Sequence, residues 1–196
     1  MSGRINAQAL DQLFLTARTQ NKWQAKDVTD AQLREIIDIM KMGPTSANCQ
    51  PARFIFLRSK GAKERLKPHL SAANQEKTMA APVAAIIGTD FAFFEHLPRT
   101  FPHTDAKSWF VGKPELAAST AVRNGTLQGA YFMLAARAIG IDVGAMSGYD
   151  AAGVDKEFFA DTTVKSNFIC NLGYGDPSGV MGRSPRFDFE DIAKIL

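Results

Sequence analysis

From Thr29 to Lys41 the apolar residues Leu33, Ile36, Ile37 and Met40 recur at i, i+3, i+4 and i+7, the repeat of one buried stripe on an α-helix. Thr29 and Gln32 have the spacing of a capping box at its start, and Gly43-Pro44 stops it. A polar stretch, Thr45 to Pro51, then leads into Phe54-Ile55-Phe56-Leu57, a β-prone apolar run that predicts a buried strand. Lys60 to Met79 reads as helix interrupted at Pro68, and Pro82 to Gly88 predicts a second strand whose unbroken apolar run suits burial on both faces. Between Phe91 and Lys113 the period is lost among aromatics, prolines and histidines, which predicts a lid or interface excursion at about 91–113 rather than a core element. A long helix from about Pro114 to Ile139 follows, with Leu127, Ala130, Tyr131, Leu134 and Ala138 marking its apolar face and Gly140 as its stop. Val143 to Met146 and Asn167 to Tyr174 are further strand candidates, a short helix spans about Ala151 to Phe159, and a last helical stretch begins near Phe189.

Strands and helices alternate without a repeated unit or a linker, so residues 1–196 read as one α+β domain. With 45% hydrophobic residues the chain can bury a real core. Lys plus Arg outnumber Asp plus Glu by 23 to 20 without gathering into runs, which argues against a nucleic-acid surface but leaves room for a local cationic pocket that receives a phosphate. Cys49 and Cys170 are far apart, with no Cys-x-x-Cys spacing and no histidine pair, so neither a metal site nor a disulfide framework is expected. Met1 to Asn6 shows no apolar signal core, and the longest apolar stretch, Ala80 to Gly88, falls far short of the roughly 20 residues that cross a bilayer. The expected setting is a reducing cytoplasm, with no membrane and no nucleic acid as partner.

No phosphate loop, Gly-x-Gly-x-x-Gly, Gly-x-Ser-x-Gly or His-Glu-x-x-His occurs, which sets aside the common nucleotide-binding, hydrolase and zincin classes. Polar segments remain. Arg18-Thr19-Gln20-Asn21-Lys22-Trp23 supplies a guanidinium and a hydroxyl that could both donate to phosphate oxygens; alone it is equally a polar loop after a helix. Gly43-Pro44-Thr45-Ser46-Ala47-Asn48-Cys49-Gln50-Pro51 joins the helix that ends at Gly43 to the strand that follows. Asn74 and Lys77 are three apart, on one side of a helix, where the bland alternative is a solvated face. Ala145-Met146-Ser147-Gly148-Tyr149 ends a strand at a glycine, which allows close approach of the main chain. Arg183-Ser184-Pro185-Arg186 lies near the C-terminus, where either arginine could instead be an ordinary surface residue.

In order and spacing these segments resemble the FMN-binding nitroreductase family, over nearly the whole chain from about residue 8. The resemblance implies a nitroreductase-like α+β fold: a central mixed, mostly antiparallel β-sheet flanked by helices, in an intertwined homodimer with shared active sites. It implies FMN as cofactor and NADH or NADPH as co-substrate. Arg18, Thr19, Asn21, Arg183 and Arg186 would serve the FMN phosphate and ribityl chain. Pro44, Thr45, Ser46 and Asn48 would cover flavin bound mainly by the other subunit, Asn74 and Lys77 would address the pyrimidine edge, and the backbone at Ser147 and Gly148 would meet N5. No side chain is expected as a covalent catalyst; N5 is the reactive centre, and Lys77 would support the negative charge of reduced flavin. Asn21, Ala52, Ala145 and Ser147 stand where the family more often has a second cation, tryptophan, proline and glutamate. Within the family the chain looks closest to the malonic semialdehyde reductase branch of pyrimidine breakdown, whose product is 3-hydroxypropanoate.

The implied mechanism is ping-pong transfer from the nicotinamide to a small-molecule acceptor. If the acceptor is a carboxylate, Arg53, Arg99, Lys113 and Arg123 are unranked candidates to meet it. A thiol mechanism pairing Cys49 with His69, His96 or His103 is set below simple packing of Cys49, because nothing in the sequence places a histidine beside it. Two other readings stay open: a broad nitro, quinone or flavin reductase, and a non-catalytic flavin-binding protein.

Overall fold

The computed structural model describes residues 3–196, so Met1 and Ser2, the first positions of the segment read for a signal core, lie outside the described residues. Among the described residues, eight α-helices and four strands run in the order α1 (Ala7–Leu10), α2 (Asp30–Met40), β1 (Ala52–Leu57), α3 (Lys60–Leu66), α4 (Ala72–Ala80), β2 (Val83–Asp90), α5 (Leu97–Thr100), α6 (Pro114–Ala138), β3 (Asp142–Met146), α7 (Ala151–Phe158), β4 (Val164–Gly173) and α8 (Phe189–Ile192). The capping box at Thr29 and Gln32 forms, with Gln32 N–H donating to the Thr29 hydroxyl at 3.2 Å and Thr29 N–H donating to the Gln32 side chain at 3.0 Å. Pro68 breaks the helical stretch after Lys60 into α3, a 3-10 turn and α4. Gly140 ends α6 with φ +78°, a conformation that costs glycine little.

The sheet has the order β1-β2-β4-β3, and every pairing among the described residues is antiparallel, so the sheet is not mixed. The apolar run of β2 is explained by its central place. Val83, Ala85 and Ile87 face a core shared with α2 and α6, while Ala84 and Ile86 face a second core with α3 and α7. β1 begins at Ala52, earlier than expected, and Phe54 to Phe56 are half-buried rather than buried because β1 is an edge strand.

The face of α6 differs from expectation. Leu127 and Ala138 are exposed, and the buried stripe is Ala117, Ala121, Asn124, Gln128, Phe132 and Ala135. Gly125 and Gly129 let the helix lie on the sheet, since an added Cβ would stand 2.5 Å from Thr89 Oγ1 and 2.5 Å from the Phe168 ring. The 91–113 segment packs a small core of its own, Phe93, Leu97, Ala106 and Phe110, against Cys49 and the first turns of α6. No helix among the described residues is long and apolar enough to cross a membrane.

Candidate functional site

The segment after α1 crosses the edge of the sheet. Gln20 N–H donates to the Val143 carbonyl at 3.0 Å, and Trp23 bridges to Gly175. Gly144 makes this approach possible, because a Cβ there would lie 2.6 Å from the Gln20 carbonyl oxygen. Trp23 Nε1 donates to the Lys77 carbonyl at 2.9 Å, which ties the segment to α4. Lys77 Nζ in turn donates to Asn21 Oδ1 at 3.3 Å. Burial lowers the pKa of the Lys77 ammonium below its ordinary range, and an anion placed beside it would favour the charged form.

The C-terminal segment folds back on this turn. Arg18 Nη2 donates to the Met181 carbonyl, and Arg183 Nη2 donates to the Leu15 carbonyl at 2.7 Å. Arg186 Nη1 donates to the Ser184 carbonyl at 2.8 Å. A cleft of about 510 Å³ opens between them, lined by Arg18, Thr19, Asn21, Lys77, Arg183 and Arg186. Arg137, from the last turn of α6, completes the set, fixed by its bond to the Leu13 carbonyl at 2.9 Å. Sequence reasoning missed Arg137 because a cation in a helix's last turn has an ordinary explanation in the helix dipole. Five cations therefore line this cleft without one Asp or Glu. Such a donor set fits a phosphate, which takes several charge-assisted hydrogen bonds at once.

An adjoining cleft of about 670 Å³ shares Asn21, Lys77 and Met181 with the first and adds Asn74. Asn74 is buried, and its Nδ2 donates to the Gly148 carbonyl at 2.9 Å; Ser71 N–H donates to the same oxygen at 3.1 Å. Packing within the chain adds a second reason for glycine here. A Cβ at Gly148 would lie 2.8 Å from both Asn74 Nδ2 and Ser71 Oγ, so the residue is small to let the turn dock on α4. The Gly148 N–H has no acceptor among the described residues, and Ser147 and Gly148 are exposed.

Pro44, Thr45, Ser46 and Asn48 lie elsewhere. Ala47, Asn48 and Gln50 hold φ of 48°, 47° and 41°, a left-handed backbone that non-glycine residues adopt at a cost. Polar groups of α6 hold the loop in place. Asn124 Oδ1 accepts from Ser46 N–H at 2.9 Å, Gln128 Oε1 accepts from Ala52 N–H at 2.8 Å, and Tyr131 OH donates to the Pro44 carbonyl at 3.1 Å. These bonds explain why α6 buries asparagine and glutamine, and why its apolar pattern misled. The loop borders a third cleft, of about 400 Å³, that shares no lining residue with the two around Lys77. Within one chain the predicted residues thus form two separate groups.

Of the four cations considered for a carboxylate, Arg53 and Arg99 line this third cleft, whereas Lys113 and Arg123 are exposed and line none of these clefts. His96 also lines it, with Cys49, so one histidine does share the cysteine's surroundings, contrary to expectation. It does not activate the thiol: His96 Nε2 sits 3.6 Å from Asp90 Oδ2, and burial pushes the Cys49 thiol up to about 11. Cys170, fully buried, is pushed up to about 12. Among the described residues no group of three or more His, Cys, Asp or Glu could hold a metal ion.

A four-stranded antiparallel sheet between helical layers, a cationic phosphate-type cleft and an asparagine-lysine pair beside a strand-end glycine define a flavoprotein-like oxidoreductase architecture. The chain belongs to the nitroreductase family, whose profile matches residues 16–174. It is 62% identical over 191 residues to a Burkholderia lata protein provisionally named NADH dehydrogenase/NAD(P)H nitroreductase, covering 97% of this chain and 98% of that one. A Stenotrophomonas maltophilia protein of the same provisional name is 58% identical over the full length of both. A solved structure provisionally described as a nitroreductase from Exiguobacterium sibiricum in complex with FMN superposes with a TM-score of 0.84 over both whole chains at 16% identity, which speaks to the fold.

Proposed function

We propose that this protein is an FMN-dependent NAD(P)H oxidoreductase of the malonic semialdehyde reductase type, a cytoplasmic enzyme acting as an intertwined homodimer. The observation that carries the flavin reading is the cleft lined by five cations and no carboxylate, next to Asn74, Lys77 and the unpartnered Gly148 N–H. Bound FMN supplies two-electron transfer between a reduced nicotinamide and an acceptor. Arg18, Thr19, Arg137, Arg183 and Arg186 hold its phosphate and ribityl chain. Lys77 faces the ring's pyrimidine edge, kept in place by Asn21. Gly148 N–H donates to N5, and Asn74 fixes the turn that presents it.

The separation of the two groups of residues supports the homodimer reading. A flavin in the Lys77 clefts leaves Pro44, Thr45, Ser46 and Asn48 of the same chain without a partner, so a second copy brings its loop to that flavin. Leu116, Val122 and Leu127 on α6 and Phe187, Phe189, Ile192 and Ile195 on the tail are exposed apolar side chains that a second copy would cover. In this reading the chain is a single FMN-binding domain, and 91–113 closes over the shared site.

The names of the relatives favour a second reading with the same chemistry, a broad nitro, quinone or flavin reductase. Purified protein with flavin absorption bands that bleach anaerobically with NADH or NADPH supports an enzyme. Stable colour under the same conditions would make it a flavin carrier. Steady-state rates with malonic semialdehyde, a nitroaromatic and free FMN then separate the two enzyme readings.

A further inference from the structure

The third cleft lies between the end of α2, the start of β1 and α5. Ile37, Met40 and Phe54 give it apolar walls, while its charged lining residues are Lys41, Arg53 and Arg99, with His96 beside them and no Asp or Glu. Behind the wall is Asp90, whose side chain is 7% exposed and therefore needs its partners. Arg53 Nη2 donates to its Oδ2 at 2.7 Å, while Oδ1 accepts from the Thr163 hydroxyl at 2.6 Å and from Ala92 N–H at 2.9 Å. Arg53 Nη1 also donates to the Gln50 and Ala52 carbonyls, each at 2.9 Å. Its orientation is thus fixed and its charge is matched. Lys41 is matched as well, by Asp38. Arg99 is different: among the described residues its guanidinium makes neither an ion pair nor a hydrogen bond, although it lines the cleft.

The cleft is fastened to the 44–51 loop. Asn48 Nδ2 donates to the carbonyl of Thr100, the residue after Arg99, at 2.7 Å, and Asn48 Oδ1 accepts from Gln50 Nε2 at 2.9 Å. This bond ties the loop to the short helix that carries Arg99. We propose that this cleft is the subsite for the acceptor's carboxylate, with Arg99 as the contacting cation and Arg53 as a positioning residue that shapes the wall. The proposal rests on reading 44–51 as the loop that covers the partner copy's flavin. It ranks the four candidate cations and commits the acceptor to a small carbonyl or nitro compound bearing one carboxylate, its apolar carbons against Phe54 and Met40.

The test compares acceptor pairs that differ by the carboxylate, malonic semialdehyde against propanal and 4-nitrobenzoate against 4-nitrobenzamide, in the wild-type holoenzyme and in Arg99→Gln and Arg99→Lys. The side chain is exposed, so both variants are expected to fold and to take up FMN. Losing a charge-assisted contact should lower the kcat/KM ratio of charged to neutral acceptor by about 10-fold in Arg99→Gln, the lower end for an exposed side chain. Arg99→Lys should recover part of the ratio. The effect should fall mainly on KM, and reduction by NADH or NADPH in stopped flow should be unaltered.

An unchanged ratio in both pairs overturns the proposal. So does slowed reduction by the nicotinamide with the ratio intact, which would assign the cleft to a nicotinamide phosphate. An Arg99-dependent preference in the nitro pair, without turnover of malonic semialdehyde, supports the carboxylate subsite while rejecting the malonic semialdehyde branch. Failure of the wild-type protein to take up FMN overturns the flavin reading, and this proposal with it.

Discussion

Replacing Arg183 and Arg186 by glutamine isolates what the tail contributes to phosphate binding. Each guanidinium carries five N–H donors. Arg183 spends Nη2 on the Leu15 carbonyl at 2.7 Å and the Ala17 carbonyl at 3.3 Å, and Arg186 spends Nη1 on Ser184 and Pro185. The other nitrogens make no hydrogen bond among the described residues, and both side chains line the cleft. A hydrogen bond to a charged group contributes about 1.5–3 kcal/mol, and the lower end applies because both side chains are exposed. Two such contacts give about 3 kcal/mol, which is about a 100-fold rise in Kd. Riboflavin lacks the phosphate, so it serves as the internal reference. Apo-protein is titrated with each ligand by flavin fluorescence, at low and at moderate salt. The double variant should bind FMN about 100-fold more weakly and lose much of the salt dependence, while riboflavin affinity changes little. Equal weakening of both ligands would refute the argument, because it would mean that Arg183 acts by holding the tail against the 15–17 turn.

Two further substitutions probe the scaffold. Gly144→Ala puts a Cβ 2.6 Å from a backbone oxygen, that of Gln20, which cannot swing aside as a side chain would; a loss of about 1–3 kcal/mol in urea unfolding is expected, with weakened FMN binding as the segment carrying Arg18 and Asn21 is displaced. An unchanged midpoint would remove the close approach from the account. Burial favours the protonated Cys49 thiol, raised from 9.0 to about 11, so its stabilising effect is complete below pH 9 and is lost as pH climbs through about 11. Wild type should lose stability more steeply than Cys49→Ala across that interval, and Cys49 should react slowly with a disulfide reagent near neutral pH; rapid labelling of the folded protein would contradict the burial.

What the sequence disclosed was what local physics decides. The capping box of Thr29 and Gln32, the break at Pro68 and the stop at Gly140 depend on neighbours within a turn or two, and each formed as expected. The unbroken apolar run of β2 signalled a strand with two covered faces, and it has two cores. The face of α6 was illegible because its burial is chosen from far away. Asn124 and Gln128 are inside to serve the 44–52 backbone, and Gly125 and Gly129 are inside because Thr89 and Phe168 leave no room. Counting apolar residues selects Leu127 instead, which is exposed. Arg137 and the reason for Gly148 were hidden for the same cause, since both depend on which segments fold back onto α6 and α4.

Division of the site between two copies has a thermodynamic consequence. If the 44–51 loop of one copy completes a flavin held in the Lys77 clefts of another, flavin affinity and association of the copies are one linked equilibrium. Whatever free energy FMN gains from the second chain, the dimer gains from FMN, by the same factor. The loop is built for this: Tyr131, Asn124 and Gln128 hold Pro44, Ser46 and Ala52, which flank its left-handed residues Ala47, Asn48 and Gln50, so bonds within the chain already order it and lower the ordering cost of binding. Dilution of the apo-protein should therefore release monomer sooner than dilution of the holo-protein, and FMN affinity should fall at concentrations where apo-monomer prevails. Sedimentation of both forms over a dilution series, with FMN titrations at each concentration, measures the two sides of the cycle. Full FMN affinity in a sedimenting monomer would break the linkage and return the 44–51 loop to a role within its own chain.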